Sequence, residues 1–230
     1  MIPKIIHYCW FGGKPKPEEV INNINNWKKI LPEYEIIEWN ESNFDINKLL
    51  YTKQAYEDRK FAFVSDICRL DCLIKYGGIY LDTDVEVIKT FNNFLCNKSF
   101  IGLEENNKVS TAMIAAEAKC QWLIDFRTEY DNIPFREHFR KITIANTTRL
   151  SRFLKNYSGD KPKIYPIDYF SVKNFMTGKI KCTDNTICIH HFNASWVPKY
   201  KIQKIENKIW MFLGMKNYDV IGKIIKFIKK

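Results

Sequence analysis

The sequence predicts a single α/β domain whose chemistry lies at the carboxyl end of a central strand. Short apolar runs of strand character alternate with stretches of helical period, the pattern of a sheet covered by helices. At 230 residues, 46% hydrophobic and 15% aromatic, the chain has the material for one full core. A Gly-Gly break between a helical stretch and an apolar run delivers two aspartates, Asp82 and Asp84, to the end of that run. No repeat, low-complexity tract or linker divides the chain. Residues 1–200 are expected to form the domain, and residues 201–230 a basic amphipathic helical segment that belongs to it or docks on it.

Residues 3–11 (PKIIHYCWF) read as the first strand, ending at Gly12-Gly13, with His7 as a packed strand residue. Gly12-Gly13-Lys14 lacks the spacing of a phosphate-binding loop, and no G-x-G-x-x-G supports a dinucleotide site. Residues 18–30 have helical period and stop before Pro32, and residues 34–39 (YEIIEW) read as the second strand. Together they predict a parallel βαβ unit with a right-handed crossover. Residues 48–59 read as a helix, 86–89 as a short strand, 91–95 as a loop or short helix, and 99–105 as a strand ending in Glu104 and Glu105. Residues 110–126 read as a helix on the spacing of Met113, Ala116, Trp122, Leu123 and Phe126. Residues 136–157 are basic and partly helical, 163–170 (KIYPIDYF) form an aromatic strand and turn, and 187–189 the last strand.

Residues 61–87 (FAFVSDICRLDCLIKYGGIYLDTDVEV) organise the rest. Phe63, Ile67, Leu70 and Ile74 make one helical stripe, and Asp66 and Arg69, three residues apart, lie within reach of each other. Gly77-Gly78 closes the helix because glycine accepts the left-handed backbone that ends one. If the next strand runs on through Asp82-Thr83-Asp84, the two aspartates share a face; if the chain turns, they converge on one small volume. Two like charges in a dry site call for a cation, and oxygen ligands suit Mg²⁺ or Mn²⁺. The carboxyl end of a strand is also where open α/β sheets bind ligands. The structural alternative is a turn capped by Asp82 and Asp84, with Asp66–Arg69 as a surface pair of about 0.3–0.5 kcal/mol.

S-D-x-x-R followed by G-G-x-Y-x-D-x-D resembles the signature of the DXD sugar-transferase family, glycosyltransferase family 32. That family includes yeast-type initiating mannosyltransferases, bacterial capsule and lipopolysaccharide transferases, and the glucosyltransferase domains of large clostridial toxins. Ser65, Asp66, Arg69, Gly77, Gly78, Tyr80, Asp82 and Asp84 carry the match. The resemblance implies a GT-A fold and a retaining glycosyltransferase that uses a nucleotide-sugar donor and Mn²⁺ or Mg²⁺. It implies a metal at Asp84 assisted by Asp82, with Asp66 and Arg69 on the donor sugar hydroxyls and Ser65 and Tyr80 in the donor pocket. The opening I-P-K-I-I-H-x-x-W-x-G-G also resembles the family, implying Trp10 as a stacking platform for the base and Cys9 as a source of backbone contacts. On the residues alone, Trp10 is equally a core tryptophan at a strand end.

H-H-x-x-x-S-W at residues 190–196 resembles the family's second landmark. It implies Asn193 or Ser195 on the metal or phosphates and Trp196 closing over the donor, with His191 joining Asp82, Asp84 and Asn193 as a metal ligand. His190 orients a diphosphate oxygen or supports the strand. Ser110-Thr111 stands where family members often carry an asparagine, and residues 146–150 are expected to border the donor pocket. The implied donor is a UDP-linked hexose or N-acetylhexosamine, with GDP-mannose as the alternative. The implied acceptor is a saccharide or lipid-linked oligosaccharide of bacterial surface polysaccharide, capsule or lipopolysaccharide.

The formal charge of +10 is concentrated in the tail. Residues 199–230 hold nine lysines against Glu206 and Asp219, leaving little excess for the first 198 residues, so no nucleic-acid partner is expected. Apolar and lysine faces alternate along residues 219–230, which fits either docking on the core or an anionic membrane surface. Seven cysteines without a C-x-x-C pair and no apolar leader point to a reducing cytoplasm, with the inner face of the plasma membrane as a peripheral location. The competing classes are a metal-dependent phosphohydrolase and a basic lipid- or nucleic-acid-binding module with a degenerate catalytic core.

Overall fold

From the amino terminus the chain forms β1 (Ile5–Cys9), α1 (Glu18–Ile30), β2 (Glu35–Trp39), α2 (Leu50–Glu57), α3 (Phe61–Tyr76), β3 (Gly78–Leu81) and β4 (Val85–Val87). It continues through β5 (Ser99–Glu104), β6 (Lys108–Ala116), α4 (Gln121–Thr128), β7 (Arg136–Glu137), β8 (Arg140–Lys141), α5 (Asn146–Asn156), β9 (Lys163–Tyr165), α6 (Ile167–Phe170) and β10 (Cys188–His190). The computed structural model describes residues 1–104, 108–137, 140–141, 144–175 and 177–193. The expectations for Glu105, Ser195, Trp196 and the segment 201–230 lie outside these.

Six strands make the central sheet in the order β2-β1-β3-β6-β5-β9. β1 runs parallel to β2 and β3, β6 antiparallel to β3 and β5, and β9 parallel to β5. The mixed sheet is the α/β, GT-A-type architecture expected. Because β1 and β3 are parallel, the segments that follow them, Trp10 and Asp82-Thr83-Asp84, leave the sheet at one edge.

Both faces of the sheet are covered, and alternate residues divide between two apolar cores as the pleat requires. Tyr80, Ile114 and Ala116 join one core with Val64, Ile67, Leu70, Trp122 and Phe126 of α3 and α4. Ile79, Leu81 and Ala115 join the other with Val20, Ile24 and Trp27 of α1 and Phe170 of α6. Acidic Glu18 and Glu19 open α1 and Lys28 and Lys29 close it, in keeping with the helix dipole. The fully buried Trp27 donates its indole N–H to the Val85 carbonyl at 2.8 Å, fixing α1 beneath the turn that carries the aspartates. Truncating such a residue to alanine costs about 3–5 kcal/mol.

The helix expected over residues 110–126 is not there. Residues up to Ala116 form β6, and the helix begins only at Gln121, after Lys119 has taken a positive φ of 58°. A central strand covered on both faces shows no polar-apolar alternation, so its alanines and methionine imitate helical spacing. All seven cysteines are unpaired thiols, and Cys68 and Cys72 are packed in the core under α3.

Candidate active site

α3 brings Asp66 and Arg69 to the sheet, and both are buried. They are not a surface pair. Arg69 Nη2 lies 3.2 Å from Asp66 Oδ1 and 3.3 Å from Asp82 Oδ1. The same guanidinium donates through Nη1 to the Thr111 carbonyl of β6, sits 4.6 Å from the centre of the Tyr80 ring, and donates through Nε to the Ser65 carbonyl at 3.3 Å. Burial works against the Arg69 charge, but Asp82, Tyr80 and Asp66 outweigh it and raise its pKa. Asp66 is pushed up to about 6 by burial, against the pull of Arg69.

β3 ends in a turn, closed by the Val85 N–H on the Asp82 carbonyl at 3.0 Å. The turn makes the two carboxylates converge. Tyr80 holds Asp82 by donating its hydroxyl to Oδ1 at 3.0 Å, and Asn23 of α1 donates to the Thr83 carbonyl at 2.9 Å. Burial raises the Asp82 pKa, with Arg69 pulling the other way.

β10 pairs antiparallel with β4, setting His190 opposite Val85. That register puts the His190 ring over the turn, Nε2 3.5 Å from Asp84 Oδ1. Asp84 also accepts the Asn193 backbone N–H at 2.8 Å, and its own carbonyl accepts the His191 N–H at 2.9 Å. Burial alone would raise the Asp84 pKa; His190 and the Asn193 N–H overcome it and hold the group at about 2. Burial likewise disfavours the His190 charge, and Asp84 and Asp82 more than compensate, raising its pKa.

One oxygen each of Asp82 and Asp84 and one ring nitrogen of His190 lie within 4.8 Å of one another, and His190 Nδ1 is buried with no hydrogen-bond partner. Two carboxylates and an imidazole at the partly exposed rim of a sheet fit a divalent cation.

The expectation for the metal-ligand histidine needs correcting. His191 follows His190 directly and points the other way, as neighbours on an extended chain do. Its Nε2 meets Glu86 Oε2 at 2.9 Å, so the ring lies outside the carboxylate cluster. Asn193 reaches Asp84 through its backbone only, since its side-chain amide donates to Glu19 at 3.0 Å. The Ser65 hydroxyl is turned inward to the Phe61 carbonyl at 3.1 Å. Cys9 is buried, its backbone paired with Trp39 of β2. Trp10 stands half-buried at the same sheet edge, its indole N–H donated to the Lys14 carbonyl at 2.7 Å.

Asn146 opens the stretch expected to border the donor pocket, whereas Lys173 went unread in the sequence. Asn146, the first residue of α5, donates to Asp66 Oδ1 at 3.1 Å, and only the bordering position of 146–150 pointed there. Lys173 is buried and donates to the His191 carbonyl at 2.9 Å. Burial lowers its pKa despite Glu19 and Asp84 nearby. One more lysine in a lysine-rich chain carries no signal of this placement.

Comparison with known proteins agrees with this geometry. Residues 17–101 match the family described as the glycosyltransferase sugar-binding region containing the DXD motif. The chain is similar to inositol phosphoceramide mannosyltransferase 3 of Schizosaccharomyces pombe, 24% identical over 151 residues, which cover 64% of this chain and 42% of that one. It thus spans less than half the length of that relative. It is also similar to an uncharacterized glycosyltransferase of Acanthamoeba polyphaga mimivirus, 27% identical over 240 residues, 93% of this chain and 92% of the other. Among solved structures, the PaToxG glycosyltransferase shares the fold at a TM-score of 0.52 and 19% identity, over 66% of this chain and 69% of that one. Residues 17–101 thus carry the DXD sugar-binding region in sequence, and the structure brings its two aspartates together at the edge of a sheet that shares the fold of a solved glycosyltransferase.

Proposed function

We propose that the chain moves a hexose or N-acetylhexosamine from a UDP-sugar to a saccharide acceptor, with retention at the anomeric carbon, in surface polysaccharide synthesis. The observation that carries the donor side is the convergence of Asp82, Asp84 and His190 at the edge where Trp10 stands, with Arg69 joining Asp66 to Asp82. Asp82, Asp84 and His190 would hold Mn²⁺ or Mg²⁺, which when bound neutralises charge gathering on a departing diphosphate. Arg69 and Asp66 orient the donor sugar, and fixing it lowers the entropic part of the barrier. Tyr80 and the Asn193 N–H keep the two carboxylates aimed at the same volume.

In the proposed step the bond from the anomeric carbon to the diphosphate oxygen breaks while the acceptor oxygen bonds on the same face. The acceptor proton passes to the departing phosphate oxygen. An acceptor in capsule or lipopolysaccharide synthesis, free or lipid-linked, is part of this proposal, and the resemblance to bacterial transferases supports it. The yeast relative is named for a lipid acceptor and for mannose. GDP-mannose therefore belongs in any donor panel. A cytoplasmic location against the inner membrane face is supported by the lysine-rich amphipathic pattern of residues 219–230. Among the described residues no helix is long and apolar enough to cross a membrane.

Thermal shift with UDP, GDP, CMP and their common sugars, each with Mn²⁺ and with EDTA, tests the reading. The expected result is a Mn²⁺-dependent rise with one nucleotide class that Asp84→Asn abolishes. Turnover by Asp84→Asn should fall by about 10²–10⁴-fold, the loss of several kcal/mol of charge stabilisation. No shift with any nucleotide, with or without metal, would overturn the proposal.

A further inference from the structure

From Asn146 at the site, α5 runs outward along one wall of a cavity of about 400 Å³, a volume typical of small-ligand sites. Arg149, Arg152, Phe153 and Tyr157 line it together with Glu129. Arg149 lies with its guanidinium 5.0 Å from the centre of the Tyr130 ring, and its Nε is buried with no hydrogen-bond partner. Among the described residues, neither Arg149 nor Arg152 has a carboxylate within ion-pair distance. A buried arginine Nε without a partner, as at Arg149, is costly unless a ligand supplies one, and the guanidinium forks of Arg149 and the exposed Arg152 match a carboxylate or phosphate.

The aromatic wall is equally organised. Phe153 and Tyr157 stack at 4.9 Å with their planes 28° apart, and Tyr157 is anchored by donating its hydroxyl to Asp125 at 2.7 Å. A fixed aromatic ring beside polar groups suits the apolar C–H face of a pyranose. Glu129 sets the limit on charge: one carboxylate faces two guanidiniums, and burial raises its pKa although Arg149 pulls it down. The helical rise puts Arg149 about 4.5 Å and Arg152 about 9 Å along the axis from Asn146. Phe153 and Tyr157 lie about 10 and 16 Å along the axis from Asn146, so an acceptor that joins the stack to a donor sugar at Asp66 is an oligosaccharide with its charged residue in the cavity.

We propose that this cavity is an acceptor subsite for a saccharide bearing a negative group, held by Arg149 and Arg152 with its ring against the Phe153–Tyr157 stack. The proposal rests on the transferase reading above and names the chemistry of its second substrate. The shared recognition element is a sugar with an anionic substituent, either a carboxylate or a phosphate.

Ligand-observed NMR titration of the full chain with glucuronate, glucose 6-phosphate, glucose and inorganic phosphate tests it, alongside the nucleotide thermal shift. One or both charged sugars should bind, and which of the two binds tighter assigns the anionic group. Glucose and inorganic phosphate should bind at least about tenfold more weakly, the worth of a charge-assisted hydrogen bond. Arg149→Gln and Arg152→Gln should each weaken the charged sugar about tenfold, with Arg152→Lys intermediate. Arg152 is exposed on the helix, so its substitution leaves folding and the nucleotide shift in place. Equal binding of glucose, phosphate as tight as either sugar, indifference to both substitutions, or no binding at all would each overturn the subsite while the nucleotide shift persists. Loss of the nucleotide shift with sugar binding intact would instead overturn the transferase reading.

Discussion

The Arg69 guanidinium meets the Asp82 carboxylate at 3.3 Å, tying the end of β3 back to α3 across the Gly77-Gly78 break. The same cation holds Asp66 and the carbonyls of Ser65 and Thr111, so one side chain joins the helix, the DXD turn and β6. Only a planar fork with several donors can serve all of these at once.

Replacing Arg69 by Met should therefore destabilise the fold by about 3–5 kcal/mol, because Asp66 and Asp82 are left without their cation. Arg69→Lys keeps the charge but reaches fewer acceptors, and should fall between. Adding Asp66→Asn to Arg69→Met should recover part of the loss. Urea unfolding measures each, and a loss under about 1 kcal/mol for Arg69→Met would mean that the pair acts like an exposed one.

His190 and His191 offer a direct comparison, since they are adjacent and only His190 faces the carboxylates. His190→Ala should weaken Mn²⁺ binding at least about tenfold, while His191→Ala, which loses the contact to Glu86, should change it by less. Free Mn²⁺ followed by electron paramagnetic resonance during titration reads this without any turnover. Equal effects from the two alanines would mean that the register of β10 against β4 does not select the ligand.

The DXD edge was legible because its signals are local. Glycines that stop a helix, a short apolar run and two carboxylates lie in one continuous segment, and α1 and β2 fall within a residue of their expected bounds. The Asp66–Arg69 spacing showed that the two could meet but not that Asp82 would share the cation, which depends on how α3 packs on β3. The choice between His190 and His191 was hidden for a similar reason, being fixed by the pairing of β10 with β4. β6 was misread because the sheet is covered on both sides, which erases the two-residue period. Local chemistry was readable; contacts set by strand order were not.

Gly78 shows how tightly the site rests on its backbone. It has a φ of +103°, and a Cβ there would lie 2.6 Å from the Ile5 carbonyl and 3.2 Å from His7 Nε2. Neither neighbour can give way without moving β1. Gly78→Ala should cost at least about 2 kcal/mol, with both backbone strain and overlap contributing. Gly13, also at positive φ but with nothing within 4 Å of its added Cβ, is the control and should lose about 1 kcal/mol. Thermal unfolding of both alanine variants compares them, and equal losses would show that the close approach of Gly78 to β1 carries no weight.

His7 connects this junction to pH. It is fully buried, its Nε2 lies 2.8 Å from the Gly77 carbonyl, and its Nδ1 is 3.1 Å from the Trp39 indole nitrogen. The indole can only donate and the carbonyl only accept, so the ring is neutral with its proton on Nε2. Burial holds the folded pKa below the ordinary 6.5, against the bond to Gly77. Below pH 6.5 the unfolded chain therefore binds a proton that the folded chain refuses, and this contribution to stability falls as the pH drops toward the folded pKa. Its slope can reach about 1.4 kcal/mol per pH unit for one proton. His7→Gln keeps a donor and an acceptor but does not titrate. The stability difference between wild type and His7→Gln should therefore shift against the wild type between pH 7.5 and 5.5. Urea midpoints at the two pH values measure it, and parallel curves would mean that the ring takes up its proton as readily folded as unfolded.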